Sequence, residues 1–149
     1  MKFLTKNDAI QWCRENQINL DDQERPALDT TLKDFKIPSD AGQRVALVNT
    51  QFQEIWEEGE ILIWIREWSV WESGERLHIF NRFRQSYGES RLLNEIPAQL
   101  ISKNEYEDGL SIVTLAVLFL WDCYVLTKGR QVLFYSHDEY GKSSVDRLA

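Results

Sequence analysis

The chain has 149 residues, 43% of them apolar and 12% aromatic, with 6 Trp and 7 Phe; this length can bury one core without staples, and the composition is globular rather than disordered. Its 17 basic and 24 acidic side chains leave a formal net charge of −7. That sign repels phosphate backbones and anionic lipid, so it argues against general nucleic-acid or membrane-surface binding and suits a basic protein partner, or solubility alone.

Cys13 and Cys123 stand far apart without CxxC spacing and read as buried free thiols. The opening stretch MKFLTKNDAIQW has no sustained apolar run, and the longest uncharged run, 109–121, is 13 residues, too short to cross a bilayer. The expectation is a soluble, cytoplasmic protein.

In chain order, Thr5 caps a first helix, with Asp8 close to a capping-box position and Ala9, Ile10 and Cys13 as its apolar stripe. Residues 19–40 lack helical periodicity, carry two of the three prolines, and read as irregular with a short extended piece at 27–35. Asp40 and Gln43 open a second helix whose face is Val45, Val48, Phe52 and Ile55, ended by Glu57-Glu58-Gly59. EILIWIREWSVW (60–71) is apolar on both faces and predicts a strand inside the sheet.

Ser73 begins a third helix with Leu77, Phe80 and Phe83 inward and Gly88 as its stop. RLLNEIPAQLI is ambiguous, and Pro97 demotes any strand there to an edge or an interrupted one. Asp108 caps a buried helix, GLSIVTLAVLFLW. CYVLT, KGR and QVLFYS form a β-hairpin with Gly129 at the position of positive φ. The sum is one α+β domain over residues 1–149, a mainly antiparallel sheet with a C-terminal β-hairpin packed by about four helices.

Three constellations carry chemistry. Ser136-His137-Asp138-Glu139 ends an apolar strand. If the strand continued, His137 and Glu139 would share a face, but a metal site needs at least a third ligand, and no HExxH, paired CxxC or EF-hand loop is present. No metal and no cofactor are expected. A carboxylate beside imidazole orients it and raises its pKa, so His137 with Asp138 or Glu139 is a chemically reasonable acid–base pair. The plainer reading is a strand terminus turning into the C-terminal tail, with Ser136 and Asp138 satisfying freed backbone groups.

The second constellation is aromatic: Trp56, Trp64, Trp68 and Trp71 interleave with Arg66, Glu67 and Glu72. Trp and Arg are common in binding hot spots, although Trp64, inside the isoleucine run, belongs to the core. The third is RFRQSYGESR, in which Arg84 and Arg91 around Tyr87 either bracket an anion or form a solvated, ion-paired face. Asp122, directly after VLFLW, must reach solvent or meet a positive partner such as Arg66 or Arg84.

The ordered motifs EW-x-x-W (67–71), R-x-S-Y-G (84–88), W-D-x-Y (121–124) and S-H-D-E (136–139) resemble a small family of uncharacterised bacterial proteins. The resemblance covers about residues 60 to 140. It implies no established activity, so it assigns no catalytic role; it selects Trp68, Trp71, Arg84, Tyr87, Asp122, His137, Asp138 and Glu139 as the positions that form the pattern. In general character the chain also looks like immunity proteins that neutralise bacterial toxins, an analogy of class rather than of motif.

Three functions follow. The first is a non-enzymatic binding protein, of immunity-inhibitor type, that covers a basic protein using Trp68, Trp71, Glu67 and Glu72, with Arg84 and Tyr87 as further contacts. It expects Trp68 or Trp71 exposed beside the two glutamates. The second is an enzyme with His137 as general base, aided by Asp122, Asp138 or Glu139; it requires a cleft where His137 meets a polar group from a distant segment. The third is a homodimeric structural protein built through the hairpin edge or the aromatic strand.

Overall fold

The computed structural model describes residues 1–57, 59–68 and 77–145. Among them seven strands form one antiparallel sheet: β1 (Lys2–Leu4), β2 (Lys33–Lys36), β3 (Ile61–Glu67), β4 (Ala98–Ile101), β5 (Asp122–Thr127), β6 (Val132–Tyr135) and β7 (Tyr140–Ser143). Their spatial order is β1-β4-β3-β5-β6-β7-β2. Four helices of the α+β domain lie among the described residues: α1 (Lys6–Glu15), α2 (Ala41–Ile55), α3 (Leu77–Gln85) and α4 (Tyr106–Leu118).

The pleat sorts the strand residues into two faces. Ile61, Ile63 and Ile65 of β3 join Ile101, Cys123, Val125, Leu133 and Tyr135 in the larger core, with Val48, Phe52 and Ile55 of α2, Phe80 of α3, and Ile112, Val113 and Ala116 of α4. Leu62 and Trp64 point the other way, with Ala98, Leu100, Tyr124, Leu126 and Phe134, and α1 covers part of that face through Ala9, Ile10, Trp12 and Cys13. Register aligns Trp64 with Tyr124, and Tyr124 with Phe134, so an aromatic row crosses three strands.

Both predicted caps form. The Asp8 N–H donates to Thr5 Oγ1 at 3.1 Å, and the Gln43 N–H to Asp40 Oδ2 at 2.9 Å. Of the expected α2 face Val48, Phe52 and Ile55 are buried, but Val45 is 43% exposed, and its neighbour Arg44 is buried instead and donates to the carbonyls of Pro38 and Leu118. The α4 N-cap is Glu105, without a side-chain capping bond, and not Asp108, which lies in the first turn and accepts the Tyr87 hydroxyl.

Other expectations are corrected by pairing. The chain opens with β1 before any helix, and the short extended piece expected at 27–35 is realised at its end, as β2 over 33–36, a sheet edge paired with β7. Far from being an edge, β4 lies between β1 and β3. Pro97 sits just ahead of its first ladder residue, and the Pro97 carbonyl still accepts the Ile65 N–H at 3.1 Å, so the missing proline donor is not needed. In the β5–β6 turn the positive φ belongs to Arg130 (64°) and not to Gly129. The predicted stop of α3 holds, with Gly88 at φ 86°. The helix start expected at Ser73 lies outside the described residues.

Candidate functional site

SHDEY is neither an extended strand nor a tail. The Glu139 N–H donates to the Ser136 carbonyl at 3.2 Å and the Ser136 N–H to the Tyr140 carbonyl at 2.8 Å, closing a three-residue hairpin between β6 and β7. Glu139 takes the left-handed position at φ 64°, where a glycine is usual. The Ile37 N–H donates to the Glu139 carbonyl at 3.0 Å, and Arg44 stands 3.9 Å from its carboxylate. Ser136 Oγ accepts the Asp138 N–H at 3.1 Å, so its lone pairs serve the turn.

The turn throws His137 back over the start of β5. Asp122 Oδ1 accepts both the His137 main-chain N–H and the ring Nδ1, each at 2.7 Å. This pairs residues 15 apart in sequence and fixes the ring; the positive partner expected for Asp122 is His137, not Arg66 or Arg84. A register shift between Ile65 and Glu67 sets Glu67 directly across from Asp122. Two carboxylates facing each other repel, and an imidazolium beside them relieves the repulsion. Burial pulls the His137 pKa down, but the hydrogen bond and charge of Asp122, then the charges of Asp138 and Glu67, outweigh it and raise the pKa above its usual value. Asp138 Oδ1 lies 3.6 Å from Nε2, a charge contact rather than a hydrogen bond.

His137 opens onto a cleft of about 510 Å³ between the sheet and the segment 21–28. Asp122, Asp138, Tyr124, Phe134 and Tyr140 line the sheet side. The opposite lip carries Asp21 and Arg25, joined by a 3.1 Å ion pair, with the Gln23 and Arg25 N–H groups also donating to Asp21. Arg66 ties this lip to the sheet: its guanidinium lies 4.8 Å over the Trp64 ring and donates to the carbonyls of Glu24 and Gln23. Tyr124 is 4% exposed, and its hydroxyl makes no hydrogen bond among the described residues. Burial pushes its pKa up to about 12, with Arg25 and Arg66 opposing the rise and Asp122 and Asp21 adding to it, so it stays protonated.

The cleft therefore gathers His137, Asp138 and Asp122 of the expected residues and leaves the others elsewhere. Glu139 faces Arg44 on the far side of the turn. Trp68 is partly buried against the larger core, and its main-chain N–H donates to Glu67 Oε1 at 3.0 Å. Trp71 and Glu72 lie outside the described residues. Arg84 is fully buried: it donates to the Ile96 and Arg91 carbonyls, lies 5.2 Å over the Phe3 ring, and is drawn down by burial to a pKa of about 10. The solvated arginine face is thus half right, with Arg91 paired to Glu89 at the surface and Arg84 inside. Tyr87 is exposed and bonded to Asp108.

Sequence reasoning missed Asp21, Arg25, Tyr124, Phe134 and Tyr140. The i, i+4 spacing of Asp21 and Arg25 and the alternation Tyr124–Leu126 were available signals. Among the described residues no group of three His, Cys, Asp or Glu side chains is arranged to hold a metal ion, and no helix is long and apolar enough to cross a membrane. No family model, no curated protein and no solved structure matches the chain.

Proposed function

We propose that the chain is a non-enzymatic binding protein for a basic protein, an immunity-type inhibitor in general character, and that it engages its partner at the cleft beside His137. The observation that carries this reading is the unequal charge of the two lips. Asp21 and Arg25 cancel on one side, while on the sheet side the two carboxylates of Asp122 and Asp138 outnumber the one imidazole, His137, that can offset them. Acidic groups at the mouth accelerate encounter with a cation, and buried rings supply contact area. Cys13 and Cys123 as buried free thiols suit a reducing, cytoplasmic setting.

A panel of peptides of graded charge, titrated calorimetrically, tests it. Basic peptides should bind one to one, and Asp138→Lys should weaken them far more than Glu107→Lys, which makes the same change of charge on α4. Equal weakening by the two reversals, or no binding of basic peptides, overturns the reading.

One observation favours a second reading, acid–base catalysis: Asp122 holds His137 in one orientation inside a cleft, as a general base requires. Ser136 Oγ, next to His137 in sequence, already accepts a turn N–H, so this reading takes its nucleophile from the substrate or from water.

A further inference from the structure

We infer that the cleft is a receptor for a single arginine side chain. The inference rests on the basic-partner reading and names the group that enters. Three observations converge on a guanidinium.

The first is the aromatic row. Trp64, Tyr124 and Phe134 stand in register on adjacent strands, and Trp64 already carries a guanidinium, that of Arg66. Among the described residues no cation lies over Tyr124 or Phe134, the two rings that line the cleft. Phe134 is further braced by Tyr124 at 4.6 Å and by Tyr140 at 6.3 Å, so the ring surface is held in place. With Tyr124 and Phe134 only 4% and 5% exposed, what they offer the cleft is a narrow apolar floor, which a flat, weakly hydrated guanidinium fits better than a strongly hydrated ammonium.

The second observation is the Tyr124 hydroxyl, on a nearly fully buried residue that faces the cleft without a hydrogen-bond partner among the described residues. The ring is packed but the oxygen itself reaches the cleft, where the N–H of an entering group can meet it. As a protonated phenol it offers lone pairs to an N–H donor.

The third is the acceptor set. Asp122 uses Oδ1 for His137, and its Oδ2 makes no hydrogen bond among the described residues. The Asp138 carboxylate is 58% exposed at the mouth. With the Tyr124 hydroxyl these make several acceptors around one opening, which suits the five-donor fork of arginine rather than the point charge of lysine. Citrulline, with nearly the same shape but no charge, loses the charge-assisted attraction to the carboxylates at the mouth and should bind far more weakly.

The same geometry sets a pH dependence. Asp122 and Asp138 flank the imidazole, Glu67 faces it from β3, and the Asp21–Arg25 pair closes the far lip. Protonating His137 adds a positive charge to the wall the guanidinium must approach. Arginine binding therefore weakens as pH falls through the raised pKa of His137.

The test is to titrate the full chain with the N-acetyl amides of arginine, lysine and citrulline, following the ring signals of Tyr124 and His137 by NMR. The arginine amide should bind saturably with a Kd on the order of 1 mM, as suits so small a probe. The lysine amide should be weaker by on the order of tenfold, and the citrulline amide should not saturate. Asp138→Asn, at an exposed turn position that leaves folding intact, and Tyr124→Phe, which keeps the ring, should each weaken the arginine amide severalfold. If lysine equals arginine, or if neither variant matters, the arginine assignment is overturned, while one-to-one binding of basic peptides that is lost in Asp138→Lys would still uphold the parent reading. If neither the amides nor the peptides bind, both fall.

Discussion

The two faces of the sheet are made by the same strands, often by adjacent residues, yet they are finished differently. One is sealed by α2, α3 and α4 over isoleucine, valine and phenylalanine. The other is covered by the short α1 and a tethered irregular segment, and beyond them it opens into the cleft. Gly109 shows how closely the first face is packed: a Cβ there would stand 2.2 Å from Ile101 Cδ1 and 2.9 Å from Phe52 Cζ. On the second face the aromatic row runs out under a gap lined by charge. One face is built to exclude everything, the other to leave room.

The largest expected effect compares one deletion on both faces. Phe52, fully buried against Trp56 and Tyr106, should lose about 3–5 kcal/mol on Phe52→Ala, because its neighbours cannot collapse into the void. Phe134→Ala should cost less, about 1–3 kcal/mol, because its void opens onto the cleft and water can enter. Paired urea titrations decide it. Equal losses would mean that the cleft face is as tightly closed as the helical one.

Next comes Gly109→Ala. In an ordinary helix the added methyl stabilises, by up to about 1 kcal/mol. Here α4 must retreat from Ile101 and Phe52, so the net result should be a loss of about 1–3 kcal/mol, seen as a lowered Tm. A gain would show that this face has slack.

The sealed face was the more legible in the sequence, for a physical reason. Periodicity reports burial, and burial on that face is nearly complete, so Ile61, Ile63, Ile65, Phe52 and Ile112 announce themselves. The caps at Thr5 and Asp40 are local chemistry and could be read in place. What failed was long-range. A three-residue strand such as β1 exists only because β4 is there to pair with it. At the start of α2 Arg44 is buried in place of Val45 while the rest of the face stands as expected, and only the Pro38 and Leu118 carbonyls explain why the arginine goes inside. In the site, His137 and Asp122 could each be flagged, but their meeting depends on the β5–β6 register and on a hairpin that places Glu139 at positive φ. The far lip, Asp21 and Arg25, comes from a segment whose position follows from no pattern in its own residues.

The Asp122–His137 pair gives the cleft face a pH signature the sealed face lacks. The folded imidazole holds its proton more tightly than the unfolded one, because its pKa is raised. The extra stability is therefore fully present below the ordinary histidine value of about 6.5 and is lost as pH rises through the folded value. Asp122→Asn should cost about 1–2 kcal/mol at pH about 5.5 and clearly less at pH about 8.5. Denaturant titrations at the two pH values read this directly, and a cost independent of pH would mean that the pair holds the turn without proton linkage.

The smallest effect is the most local. Arg66 does for the segment 21–28 what three helices do for the other face: it holds a cover down, here through one ring contact and two long hydrogen bonds, 3.3 and 3.4 Å, to Glu24 and Gln23. Such contacts at a half-exposed side chain are individually weak, so Arg66→Ala should lower global stability by only about 0.5–1 kcal/mol. Its consequence should instead be spatially confined. Amide hydrogen exchange should quicken across residues 21–28, while β3 and β5 beneath keep their protection, because the Asp21–Arg25 turn keeps its own bonds but loses its anchor to the sheet. Exchange that quickens through the strands as well would mean that the lip is an integral part of the fold and not a cover. Unchanged exchange would place the tether in α1 and in the Leu20–Pro26 bridge, the remaining local restraints on that segment.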